Sequence, residues 1–123
     1  MEHYDFPRQV RLLRPGDYRF VFDDPVVKVP LPELLLLARP NELGHPRIGI
    51  VISKKNARQA VQRNRFKRHV REYFRLNRHE LPGLDIVCLA RREIVNLDNA
   101  SLRVRLEKAF RKLKERHERF RAG

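Results

Sequence analysis

From Lys54 to Arg78 the chain carries ten basic side chains and a single acid, Glu72, a local charge of +9 out of a total of +13. Most of these are arginines, whose planar fork grips phosphate oxygens in pairs and stacks on unpaired bases. A merely solvated helix face alternates the sign of its charges, and this one does not. So much like charge in one small domain calls for a polyanionic partner, either nucleic acid or an anionic membrane surface. Lys54-Lys55-Asn56 stand just ahead of the expected helix start, where backbone N–H donors reinforce side-chain charge toward a phosphate. A second group is aromatic. Tyr18, Val21 and Phe22 are spaced to share one face of a short helix, and the rings of Tyr18, Phe20 and Phe22 read equally as plain core or, where exposed, as stacking surface.

The residue types that would make the protein itself a catalyst are not assembled in the sequence. His3, His45, His69, His79 and His117 are scattered, with no two at a metal-binding helical spacing, and each reads as a surface or capping residue. Cys88 stands alone in the apolar run Leu84–Ala90, broken only by Asp85, and reads as a small core residue. No catalytic residue and no metal ligand is expected in the protein.

The elements that must position these groups follow from periodicity. The chain has 123 residues, one ordinary domain. Phe6, Val10, Leu12 and Leu13 form a partly apolar arm, and Pro15 opens a short helix running to about Asp24. Pro25, Pro30 and Pro32 surround Val26–Val29 and confine that strand to an edge. Leu34–Ala38, Arg47–Ser53 and Leu84–Ala90 read as further strands, the second well buried through Ile48, Ile50, Val51 and Ile52, with a turn at Asn41–Pro46. Ala57–Asn77 reads as one long helix whose apolar face is Phe66, Val70, Tyr73 and Phe74, with Arg65, Arg68, Arg71 and Arg75 on the remaining arc. Glu72 is spaced to pair with Arg68 or Arg75. A last helix, capped by Asp98 or Asn99, buries Leu102, Leu106, Ala109, Phe110 and Leu113. Its tail, Arg116–Gly123, is charged and expected to fray, and residues 1–8 are expected to be flexible. The order is α-β-β-β-α-β-α, an α+β fold with helices stacked on a mixed sheet. The start of the chain lacks the pattern of a secretory signal, and no apolar run reaches the length of a membrane span, so a soluble, cytoplasmic protein is expected.

The run Arg63-Asn64-Arg65-Phe66-Lys67-Arg68, followed by Arg71-Glu72, resembles the RNR motif of the bacterial ribonuclease P protein subunit. Phe6-Pro7-Arg8, Arg11-Leu12, the Tyr18/Phe20/Phe22 aromatics, Gly44-His45-Pro46-Arg47-Ile48-Gly49 and Lys54-Lys55-Asn56 follow the same family's order. The resemblance spans residues 6–115. It departs at Tyr18, where many relatives carry Phe, and at Phe66, where Ile or Leu is commoner.

That resemblance implies a two-layer α/β sandwich like the second domain of a small-subunit ribosomal protein, with a left-handed βαβ crossover where general rules favour a right-handed one. It implies docking on a catalytic RNA subunit, one protein per RNA, through Asn56 and Arg58 and through Arg63, Asn64, Arg65, Lys67, Arg68, Arg71 and Arg75 on the helix. A cleft between the first helix and the sheet would take the single-stranded 5′ leader of precursor transfer RNA, through Arg11, Tyr18, Phe20, Phe22, Lys54 and Lys55. The enzyme would be the ribonucleoprotein, an endoribonuclease with Mg²⁺ held mainly by the RNA, since metal ions can activate water and stabilise a leaving oxygen without a protein acid–base pair. Two rivals remain: a structural RNA-binding protein of ribosomal type without turnover, and a DNA-binding regulator with the basic helix in a major groove. The second expects a docking helix just before the basic one, where a strand stands instead.

Overall fold

Pro15 supplies a pre-set φ for the first turn of α1 (Pro15–Asp23), and the Asp17 carboxylate accepts the backbone N–H groups of Leu13 and Arg14 at 3.2 Å each, closing the helix start. The computed structural model describes residues 6–122; residues 1–5 and 123, part of the expected flexible ends, lie outside them. After α1 come β1 (Val27–Pro30), β2 (Leu34–Pro40), β3 (Arg47–Val51), α2 (Ala60–Asn77), β4 (Leu84–Ala90) and α3 (Asn99–Ala122). This is the expected element order.

The strands form one mixed sheet in the order β1-β2-β4-β3. β2 pairs antiparallel with β1 and β4, while β3 and β4 run parallel with α2 in the crossover between them. Because side chains alternate along a strand, each face gathers its own set. Val29, Leu36, Ile48, Ile86 and Cys88 meet Phe66, Val70 and Phe74 of α2 and Leu106, Phe110 and Leu113 of α3, forming the main core. On the opposite face Leu37 and Val87 meet Val21 of α1 and Leu12, and Tyr18, Phe20, Leu35, Val51 and Leu89 pack half-buried around them. α1 therefore covers only part of its face. The rest is open apolar floor.

Several elements differ in extent from the sequence expectation. α2 begins at Ala60, not Ala57, because the Arg63 guanidinium takes the carbonyls of Ala57 and Arg58 at 2.8 and 2.9 Å and the preceding residues turn rather than wind. β3 ends at Val51, not Ser53, and its Ile50 and Val51 are only half-buried, since β3 is a sheet edge and not the well-buried strand expected. α3 continues through the expected frayed tail to Ala122. There His117 is buried on the stripe that holds Leu106, Phe110 and Leu113, and Arg116 donates to the Lys28 carbonyl on β1. The reading of His117 as a surface or capping residue is thus corrected. At the other end Phe6 is tied down, its ring meeting Phe74 edge-on at 5.9 Å, whereas Leu13 is exposed.

Candidate nucleic-acid interface

The α2 period sends Phe66, Val70 and Phe74 inward, with Tyr73 stacked on Phe110 of α3 at 5.0 Å. The basic residues are left outside, and they divide into two kinds. Arg63 is a clamp on the loop before the helix, as described. Arg65 donates to Gln62 at 3.2 Å and to the Asn99 side chain at 3.0 Å, linking α2 to the start of α3. Arg75 pairs with Glu72, the partner chosen from the two the spacing allowed. Asn56 is also occupied: its N–H meets the Ser53 hydroxyl at 3.1 Å and its amide donates to the Ala90 carbonyl at 3.1 Å, pinning the loop to the end of β4.

Lys54, Lys55, Arg58, Arg68 and Arg71 are exposed, and Lys67 half-exposed. No hydrogen bond or ion pair holds any of these six side chains among the described residues. These cations keep their full capacity for phosphate. His69, beside them on α2, is held below the ordinary histidine range, first by burial; an Asn99 hydrogen bond opposes this, and the charges of Arg65, Arg68 and Arg103 reinforce it. It adds no positive charge to the face at neutral pH.

At the outer edge of β3 a cleft of about 260 Å³ brings together Arg11, Tyr18, Lys67 and Arg71 over a floor that includes Ile48, Gly49 and Ile50. Arg11 reaches it because the N-terminal segment bridges to β3, Leu12 N–H donating to the Ile48 carbonyl at 2.9 Å. The Arg11 guanidinium folds over the Phe6 ring at 4.8 Å and donates to the Phe6 carbonyl. The Tyr18 ring lies directly over Gly49, with the Ile50 backbone close enough to act on its hydroxyl. Burial pushes its phenol upward, and the Ile50 backbone pulls it down. Arg71 also borders a second hollow with Asn64, Arg68 and Arg75. Residues expected to serve two different RNAs therefore share one continuous surface.

Phe22 is 43% exposed. Phe20 is not part of the Tyr18 cleft. The Arg39 guanidinium covers its ring at 3.9 Å and donates to its carbonyl at 2.9 Å, and the ring borders a polar hollow with Asn41, Arg47 and Asp85. Sequence reasoning missed Arg39, Gly49, Asp85 and the floor residues Leu35, Val51 and Leu89. A glycine inside an otherwise β-branched strand does signal close approach by another group; nothing local marked the others. Among the described residues no cluster of His, Cys, Asp or Glu could hold a metal ion, and no helix is long and apolar enough to cross a membrane. Cys88 is buried, which raises its thiol pKa out of the reactive range.

Comparison with known proteins agrees with this geometry. The family model described as Ribonuclease P matches residues 6–114. The ribonuclease P protein component of Idiomarina loihiensis is 50% identical over 115 residues, covering 94% of this chain and 92% of that one. Its counterpart in Chromohalobacter salexigens is 54% identical over 115 residues, covering 94% and 90%. Among solved structures, the Staphylococcus aureus RNase P protein superposes with a TM-score of 0.78 at 26% identity, covering 83% of this chain and 93% of that one. The Thermotoga maritima RNase P protein, in complex with 1-(4-fluorophenyl)-2-thiourea, gives 0.70 at 31% identity, covering 79% and 94%. A ribosomal-type binding protein without turnover is not favoured by any of these. With the RNR helix, its unpaired cations and the aromatic cleft in place, the chain belongs to the ribonuclease P protein family, as the protein component of that ribonucleoprotein enzyme.

Proposed function

We propose that this protein docks on the catalytic RNA through the free cations of α2 and holds the 5′ leader of precursor transfer RNA in the cleft beside Tyr18. The observation that carries the reading is the convergence of Arg11, Tyr18, Lys67 and Arg71 on one hollow, flanked by cations with no protein partner. Phosphate contacts there would set position, and the rings would accept bases of any sequence. Asn64, Arg68 and Arg71 would face the catalytic RNA. Arg63, Arg65 and Asn56 would support that surface by shaping it, since their polar groups already have protein partners. Lys54, Lys55 and the exposed Phe22 would extend the leader's path over the open floor of Leu35, Val51 and Leu89. Phe20 would serve by bracing α1 rather than by stacking.

In this reading the RNA subunit would hold the Mg²⁺ that activates water toward the scissile phosphodiester, in the cytoplasm, with one protein on each RNA. The protein's own part is to bind, orient and select. A directed-cleavage experiment tests it. Because Cys88 is buried and unreactive, a cysteine placed on the surface becomes the single site for an iron chelate. Val61→Cys, on the first turn of α2, should direct cuts into the RNA subunit. Leu13→Cys, on the cleft rim, should direct cuts into the leader of bound precursor. Leader strands left uncut from Leu13→Cys, with the RNA subunit cut normally from Val61→Cys, would refute the leader assignment.

A further inference from the structure

We propose that Gly49 is a positioning residue for the substrate: by leaving β3 bare beneath Tyr18, it holds that ring at a fixed place where a base of the leader meets it. This rests on the leader reading above and extends it to a residue with no side chain to touch RNA.

A Cβ added at Gly49 would lie 2.5 Å from Cε1, 2.6 Å from Cζ and 2.8 Å from the hydroxyl oxygen of Tyr18. Those separations are far inside van der Waals contact, so the ring would have to move. The helix carrying it has little room to move with it. Val21, one turn on, is fully buried between Leu37 and Val87. Asp17 closes the helix start on Leu13 and Arg14, and Arg39 holds Phe20 by ring and carbonyl together. The remaining freedom is rotation of the Tyr18 side chain itself, away from the strand. The outer edge of the strand is itself held, Leu12 bonding the Ile48 carbonyl there. Glycine inside a strand weakens it, so the bare position serves something other than the strand.

The test uses holoenzyme reconstituted with the cognate RNA subunit, and reads the ratio of affinities for precursor and mature transfer RNA. Tyr18→Ala removes the platform, and Gly49→Ala displaces it. Each should lower the precursor-to-mature preference by roughly five- to 150-fold, the equivalent of one lost base stack. The double variant should be no worse than Tyr18→Ala alone, because a displaced ring and a missing ring are equivalent. A folded Gly49→Ala that keeps the wild-type ratio overturns the proposal, as does a double variant whose losses multiply. If Tyr18→Ala leaves the ratio unchanged, the leader reading itself fails and this proposal with it. If Tyr18→Ala lowers it and Gly49→Ala does not, only the role of Gly49 fails.

Should Gly49→Ala unfold the protein, two measurements still decide. Gly49→Ala should fold again in the Tyr18→Ala background; unfolding in both would mean that the backbone, not the ring, needs the glycine. In the wild-type chain, titration with a five-nucleotide single-stranded RNA should shift the Tyr18 ring and Gly49 Hα resonances with a single binding constant. A Gly49 resonance that stays fixed while the RNA saturates its site overturns the proposal.

Discussion

Arg47 and Asp85 face each other across the parallel β3–β4 pair and form a two-pronged bridge, Nε to Oδ1 at 2.8 Å and Nη2 to Oδ2 at 2.6 Å. Asp85 is almost fully buried, and Asn41 donates a third hydrogen bond to it at 2.9 Å. Arg47 also lies 3.8 Å from Asp17, so the bridge connects the sheet to the start of α1. The same Asn41 amide donates to the His45 carbonyl at 3.1 Å, fixing the turn in which Gly44 takes a positive φ of 81°. This cluster orients the helix that carries Tyr18.

Asp85→Ala should therefore destabilise the domain by about 2–4 kcal/mol, somewhat less than a fully buried broken pair because Arg47 keeps some access to water. Urea unfolding of the free protein would show it as a lower midpoint with little change in slope. A loss below about 0.5 kcal/mol, typical of an exposed pair, would mean that the bridge does not hold the sheet to α1.

The cations of α2 should separate by their protein partners. Arg68→Ala should weaken RNA-subunit binding, leave the melt unchanged, and reduce the slope of log affinity against log salt by about one contact. Arg65→Ala should lower affinity and also thermal stability, since Arg65 is bonded to Asn99. Arg119→Ala, exposed near the end of α3, should change neither. Equal losses of affinity in all three would show charge acting diffusely, without a docking face.

Acid should weaken the fold through His117. Burial lowers its pKa first and Arg121 adds to this, against Glu118, so the folded state binds its proton less readily than the unfolded chain does. The sign follows: stability from this group is complete above the unfolded value near 6.5 and is lost as pH falls below it toward the folded value. His69 acts in the same direction. Thermal melts between pH 7.5 and 5.5 should show a falling midpoint, and His117→Gln should flatten that fall. An unchanged pH profile in His117→Gln would remove His117 from the acid response.

The apolar face of α2 was legible because Phe66, Val70 and Phe74 repeat at the helical period, and β1 was legible as an edge because prolines bracket it. The bridge from Arg47 to Asp85 was not. Its partners meet only through the register of two strands separated by a helix, and Asp85 read merely as an interruption in an apolar run. The same limit applied to Asn56 and Arg63, which lie in the same basic stretch as Arg68 yet spend their donors on carbonyls of the folded chain. Motif position marked the surface, but which member is free depends on loop geometry. Exposure within Tyr18, Phe20 and Phe22 was likewise unreadable, because a helix of nine residues against a partly open sheet leaves its flanks undetermined by period alone.

Phe22, which does not line the Tyr18 cleft, gives the sharpest test of whether the leader's path runs on over the open floor. A protein that only screened RNA repulsion would help precursor and mature transfer RNA alike, since both carry the same folded body. A protein that holds the leader must favour precursor, because the product has lost that segment. Phe22 is 43% exposed, and no ring pair or cation occupies its faces among the described residues. Its truncation should therefore spare the fold and remove a stacking surface. Phe22→Ala is expected to weaken holoenzyme binding to precursor by about 1–3 kcal/mol while leaving mature transfer RNA nearly unaffected. Phe20→Ala should behave differently: its half-buried ring packs against the cluster of Leu12, Val21, Leu37 and Val87 and lies under Arg39, so its main effect should be a lower melting temperature. Tight precursor binding by a folded Phe22→Ala holoenzyme, at matched salt, would exclude this ring from the leader's path.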